Sequence, residues 1–450
     1  MQLLADDLTT ILETGNVWID SLVTSDGDQW HLNYLGLFRP YVTYSFNTLP
    51  ELINVADYVK GETNFLNLVQ INNVRRALET VTELTGIEFR EVSGAGADWY
   101  FVNGDYVTPG VTAIALTQYG YRFWPDTGEI FNLDYEGVLI FDDAEFRLDT
   151  RALTPGTYGY EVLLHELGHL LGLEHPFEGP VTLSTELDNT GNTLMSYNET
   201  TPYKTQFSDF DQAALLYLYG TDGLGGQFGI GSARSMILGT ESAEVIRGSD
   251  ATDLFIQISP DNDELLGLGG VDTVVYTGER ADYELMPEEQ GAGLLNPLTG
   301  HQDLLVSVER IEFDDVSIAL DLDGNAGQIA RLLGVMLGKD NWYVRDFVGI
   351  GLNYLDEAGV SYEELMAIAL ETVLGPAPSN EAVINLLYSN LVGVAPPQED
   401  LDLYTGWLET GEFSQAGLAV AAAAYPLNEE LIGLADLTVA GLEYHPFGVV

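Results

Sequence analysis

The chain holds six histidines in 450 residues, and three of them fall within the run His165-Glu166-Leu167-Gly168-His169-Leu170-Leu171-Gly172-Leu173-Glu174-His175. On a helix, residues four apart share a face, so His165 and His169 can offer two imidazoles to one metal ion. Glu166 follows the first of them, where a carboxylate can reach a metal-bound water without ligating the metal. Gly172 lets the chain leave the helix in a conformation that a side chain resists, and that break turns His175 back as a third ligand. Three nitrogen ligands leave a position for water, the arrangement of a catalytic rather than a structural zinc site. With this composition the five fixed positions arise by chance on the order of 10⁻⁵ times per chain. The competing reading is an amphipathic helix with incidental histidines. Beside Leu163, Leu164, Leu167, Leu170 and Leu171, two imidazoles and a carboxylate make poor core material unless something binds them.

The pattern H-E-x-x-H-x-x-G-x-x-H is similar to that of the metzincin metalloproteases. Further on, Asn192-Thr193-Leu194-Met195-Ser196-Tyr197-Asn198 resembles their Met-turn, and its Ser196-Tyr197 pair resembles the serralysin branch. Asp211 to Gly220, ending in Leu-Tyr-Gly, resembles the closing helix of the serralysin catalytic domain. The resemblance implies Zn²⁺ held by His165, His169 and His175, with Tyr197 as an additional ligand or a donor to the transition state. It implies Glu166 as general base, Met195 as a structural floor beneath the histidines, and peptide bonds of protein substrates as the target. It also implies that Val111–Thr117 is the edge strand on which a substrate peptide lies extended.

Pattern reading supplies the elements that must hold these residues. Tyr41–Phe46 alternates like a strand, and 65–85 has helical periodicity (Leu68, Ile71, Val74, Leu78, Val81) stopped by Gly86. Residues 87–92, 98–102, 111–117 and 137–141 read as strands, while the aromatic-rich stretch 121–132 reads as a loop. Beyond Gly220 the composition changes to a glycine-rich linker. Three copies of a weak nine-residue period follow, at Gly239, Gly248 and Gly267. They resemble eroded RTX repeats, whose turns bind Ca²⁺ in a parallel β-roll. Glu244 stands where one aspartate is expected, and Asp253 and Asp272 are the candidate calcium ligands. From Asp323 the pattern turns helical, and Leu355–Ser361 matches Leu408–Ser414 in a two-copy repeat that resembles a DUF4214-type helical module. The expected fold is multidomain α+β. A leader occupies 1–37, and a metzincin domain with a twisted sheet and zinc helix covers 38–222. A small RTX-like β domain covers 223–322, and an all-α domain 323–450.

Composition bounds the partners. The chain carries 70 acidic against 16 basic residues, a formal net charge of −54. Nothing here could neutralise phosphates, so nucleic acid is excluded as a partner, and anionic membranes repel such a chain. Two readings of the acidity compete: calcium loading, and a salt-tolerant surface of solvated carboxylates. There are no cysteines, so neither disulfides nor thiol chemistry enter. No apolar run is long enough to span a membrane. The acidic start, Met1-Gln-Leu-Leu-Ala-Asp-Asp-Leu, lacks the pattern of a secretory signal. The serralysin resemblance implies an extracellular protein exported by a type I secretion apparatus. Activation stays open: Asp6, Asp7 and Asp26 are leader carboxylates that could reach a metal, and no cysteine could. The rival to a protease is an exported calcium-dependent adhesin or matrix protein with a vestigial protease domain. Self-processing or very narrow proteolysis is a third reading.

Overall fold

The computed structural model describes residues 11, 13–24, 30–240, 243–256 and 262–447. Where composition marks four segments, contacts group the chain into two compact units, the first ending at Leu254 apart from residues 241–243, the second running on from Phe255.

The first unit opens with α1 (Val17–Val23) and α2 (Asn33–Gly36). The described residues of the segment that composition marks as a leader pack into this unit: Ile19, Leu22 and Leu32 are fully buried, and Trp18 stacks on Phe210 at 4.1 Å. Strands β1 (Tyr41–Ser45), β2 (Asn64–Phe65), β3 (Glu88–Glu91), β4 (Trp99–Gly104), β5 (Ala113–Phe123) and β6 (Ile130–Asp142) form one sheet. Its order is β3-β1-β4-β6-β5, with β2 pairing antiparallel to β4. Strands β3, β1, β4 and β6 run parallel, and β5 closes the sheet as an antiparallel edge. Parallel strands covered on both faces must be apolar throughout, and Trp99, Tyr100, Phe101 and Val102 of β4 are all fully buried.

Helix α3 (Leu68–Thr85) starts at a capping box between Asn67 and Gln70 and stops at Gly86, which adopts φ +72°. Its buried face is Val74, Ala77, Leu78 and Val81, the i, i+3, i+4, i+7 stripe of an amphipathic helix. Three more helices complete the layer: α4 (Arg147–Thr150), α5 (Tyr158–Leu170) and α6 (Asp209–Tyr219). Strands β7 (Arg234–Leu238), β8 (Val245–Arg247) and β9 (Thr252–Ile256) follow.

One expectation is corrected in this unit. Residues 121–132 are not a loop but the outer part of a long hairpin, in which β5 and β6 pair from Ala113↔Phe141 to Phe123↔Ile130. The turn between them contains Gly128 at φ +75°. The pattern hid this because Ile130 is the one buried residue of this stretch, so apolar and polar residues do not alternate.

The second unit contains β10 (Glu264–Leu266), β11 (Thr273–Val275), β12 (Glu284–Glu288), β13 (Gly291–Leu295), β14 (Gln302–Val306), β15 (Arg310–Glu312) and β16 (Ser317–Ala319). Helices α7 (Asn325–Leu337), α8 (Arg345–Leu352), α9 (Tyr362–Leu374), α10 (Asn380–Val392), α11 (Gln398–Thr410), α12 (Gln415–Ala423), α13 (Pro426–Leu431) and α14 (Leu434–Ala440) come next, and β17 (Leu442–Tyr444) ends it. The expected all-α region is thus not purely helical: β17 pairs with β16, which joins the end of the helical part to the strands before it. Buried Arg310 of β15 ties the same halves together through Asp321 and Asp356. Strands β10 and β11 pair in parallel with β14 and β15, whereas β12, β13 and β14 form an antiparallel meander. The sequence repeat is visible as two equivalent caps, since Ser361 and Ser414 each cap the helix that follows, α9 and α12.

Candidate metal centre

Helix α5 buries Leu163, Leu164, Leu167 and Leu170 completely, which fixes its rotation and turns His165 and His169 to the same side. After Leu170 the chain breaks sharply, with Gly172 at φ +91°. A Cβ there would also stand 2.6 Å from the Trp30 carbonyl oxygen, so both backbone conformation and space demand glycine. The break delivers His175 to the other two histidines. One ligand atom of each ring lies within 4.8 Å of the others, and His169 Nε2 is 3.1 Å from His175 Nε2.

The outer nitrogens explain the orientation. His165 Nδ1 lies 2.7 Å from the Leu194 carbonyl, His169 Nδ1 2.9 Å from the Leu173 carbonyl, and His175 Nδ1 3.2 Å from Glu178 Oε2. Each of these partners is an acceptor, which places the proton on Nδ1 and leaves the Nε2 lone pairs turned toward one another. Burial holds His165 down to about 4 and His169 to about 3, so both rings are neutral at pH 7. Lone pairs converging from three sides repel unless a cation sits among them, and imidazole nitrogen suits Zn²⁺. The residues present fit that ion. Among the described residues no other group of three or more histidine, cysteine or acidic side chains has this spacing.

Glu166 is 7 % exposed and lines the cleft beside His165. Burial pushes its carboxyl up to about 8, and a hydrogen bond with the Ala115 backbone of β5 opposes this. A divalent cation next to it also pulls downward. The cleft has a volume of about 380 Å³ and lies between residues 110–113, α5 and the segment 190–199.

Met195 is fully buried and packs beneath α5, where a Cβ added to Gly168 would meet its sulfur at 2.5 Å. Tyr197 is 66 % exposed. Its ring stands 5.9 Å from that of His165 and 4.7 Å from that of His175. Phe177 stacks almost flat on His175, with centroids 5.1 Å apart and planes 8° from parallel.

Sequence reasoning missed one residue that holds this site. Asp211, fully buried on α6, accepts the Thr193 hydroxyl at 2.6 Å and the Leu194 N–H at 2.8 Å. It also accepts the Ser208 N–H at 2.9 Å. The backbone of Leu194 therefore links Asp211, through its N–H, to His165, through its carbonyl. The available signal was the Ser208-x-x-Asp211 capping box at the start of α6, which points to a helix start and not to a metal.

The remaining candidates lie elsewhere. Asp253 is fully buried on β9 and accepts the Ser249 N–H at 2.6 Å. Asp272 is fully buried before β11, and its N–H donates to Glu309 at 2.8 Å. Neither belongs to a cluster of three donors among the described residues. Asp6, Asp7 and Asp26 lie outside the described residues.

Comparison with known proteins agrees with this geometry. Residues 58–220, which include the three histidines, Met195 and Tyr197, match the model of the matrixin family, Peptidase M10. A serralysin from Proteus mirabilis is 25 % identical over 221 residues, which cover 44 % of this chain and 44 % of that protein. Serralysin A from Dickeya chrysanthemi is 26 % identical over 164 residues, covering 34 % of this chain and 30 % of its own length. The chain thus spans less than half the length of either curated relative. Together the family match and the two relatives support a metallopeptidase of the M10 metzincin kind in the segment that carries the histidine cluster.

Proposed function

We propose that the protein is a secreted zinc-dependent endopeptidase. The observation that carries this reading is the convergence of three imidazoles beside a buried carboxylate in an open cleft. A zinc ion bound there supplies a Lewis acid that polarises a peptide carbonyl and makes water acidic enough to act as a nucleophile near neutral pH. The chain's own residues do the rest. His165, His169 and His175 would hold the ion through their Nε2 atoms. Glu166 accepts the proton of the attacking water and delivers it to the leaving amine. Tyr197, near the His165 and His175 rings, directs its hydroxyl to the charge that develops on the carbonyl oxygen. Strand β5 is the last strand of its sheet among the described residues, so its outer edge can receive an extended substrate, and its Ala115 reaches Glu166, so a peptide on that edge passes the base. Met195 is structural. Export rests on the serralysin resemblance, and calcium at Asp253 and Asp272 on the likeness of the eroded repeats to RTX turns.

Glu166→Gln tests the reading. The variant should keep one zinc per chain by metal analysis while peptide hydrolysis falls by about 10²–10⁴-fold, the range of general acid–base catalysis. Undiminished cleavage with zinc bound would remove Glu166 from the mechanism. Zinc-free wild-type protein that cleaves as well as the loaded form would remove the metal.

A further inference from the structure

The cleft beside the histidines is acidic beyond the needs of the chemistry. Besides Glu166 its lining includes Glu161 and Glu199, and no lysine or arginine. Glu161 lies one helical turn before His165 on the same face of α5, so its carboxyl flanks the metal ligands. It is 4 % exposed, and burial, reinforced by Glu199, pushes its carboxyl up. Its Oε2 accepts the Lys204 N–H at 2.6 Å. The Lys204 ammonium donates elsewhere, to Thr200 Oγ1 at 3.2 Å and the Pro202 carbonyl at 3.4 Å, and so reaches Glu161 only through space.

A half-satisfied carboxylate taken out of water is costly, and the walls around it include Val162, Leu194 and Ala113. The ligand that suits such a pocket has a long apolar stem and a positive end. The volume of about 380 Å³ admits the longest side chains. We infer that this cleft is a specificity pocket for a lysine or arginine side chain adjoining the scissile bond, with Glu161 as the carboxylate that recognises it. Glu199 stands as a second, outer carboxylate. Arginine should be favoured over lysine, because its planar fork can bond Glu161 and still reach a neighbouring acceptor. This inference rests on the proteolytic reading above and narrows its substrate class to basic sites.

The test uses the full-length, zinc-loaded protein. Cleavage products of a peptide library are first mapped on both sides of each cut. Matched peptides with arginine, lysine or norleucine at the enriched position are then compared by kcat/KM. Arginine and lysine should exceed norleucine by about tenfold or more. Glu161→Gln keeps an acceptor for the Lys204 N–H and should bring that ratio near unity by lowering only the basic peptides. Glu199→Gln should lower it less. Equal use of norleucine by the wild type, or a ratio unchanged by both variants, overturns the inference and leaves the protease intact. A uniform fall for all three peptides in Glu161→Gln shows a structural role and overturns it too. Absence of any cleavage by the zinc-loaded wild type defeats the proteolytic reading, and this inference falls with it.

Discussion

Of the three converging imidazoles, His175 is held differently from its neighbours. Backbone carbonyls fix the outer nitrogens of His165 and His169, whereas that of His175 faces the side chain of Glu178, itself 59 % exposed. A carboxylate behind a ligating histidine fixes its tautomer, sets its angle and makes it a better donor. The geometry therefore predicts that Glu178→Ala weakens zinc by about tenfold, the lower end for such partners. Competition with a chromogenic chelator would measure it, and an unchanged dissociation constant would mean that the Phe177 stack alone orients the ring. The glycines in the motif divide by the same logic. At Gly168 a methyl meets the flexible end of Met195, while at Gly172 it meets backbone and a positive φ together, so only the second is beyond relief by repacking.

At the scale of elements, the centre depends on how α6 is tied to the turn that contains Met195, and Asp211 is the tie. Complete burial pushes its carboxyl up to about 7, against the pull of its three hydrogen bonds. A carboxyl whose pKa is raised on folding binds its proton more tightly in the folded state. Its contribution to stability is full below the unfolded value near 4, and is lost as pH rises through about 7. Asp211→Asn has no such dependence. In metal-free protein, the stability of wild type minus variant should therefore fall between pH 5 and 7, with a slope of at most about 1.4 kcal/mol per unit, and flatten above. Urea denaturation at several pH values measures it; a level difference throughout would show that the three donors outweigh burial. This tie was illegible in the sequence because Asp211 meets Thr193 and Leu194 only in the folded chain. The histidines were legible because their spacing is local: one helix face and one glycine break place them. Helix α3 was equally plain from its stripe and its caps. The outer hairpin was not, because only Ile130 of residues 121–132 is buried, and β17 was not, because three residues carry no periodic signal.

At the scale of the whole molecule, 70 acidic side chains face 16 basic ones, so most carboxylates have no cationic partner to lose when salt is added. Self-repulsion then opposes the compact state, and screening should relieve it. Melting temperature should rise between about 10 mM and 0.5 M NaCl, as the Debye length shrinks from about 30 Å to a few ångströms. A fall would mean that specific ion pairs outweigh the net charge. The same measurement separates the two readings of the acidity. In 0.5 M NaCl, where general screening is already spent, about 1 mM CaCl₂ adds little ionic strength. It can raise the melting temperature further only by binding the folded chain, through a gain of RT ln(1 + [L]/Kd). Equal MgCl₂ serves as the control, because magnesium screens alike but needs a tighter octahedral site. A chain of two compact units need not melt in one step, and Asp253 falls in the first unit while Asp272 falls in the second. The transition that calcium shifts therefore identifies which aspartate holds it. If neither moves beyond the magnesium control, the charge belongs to a solvated surface and the eroded repeats carry no ion.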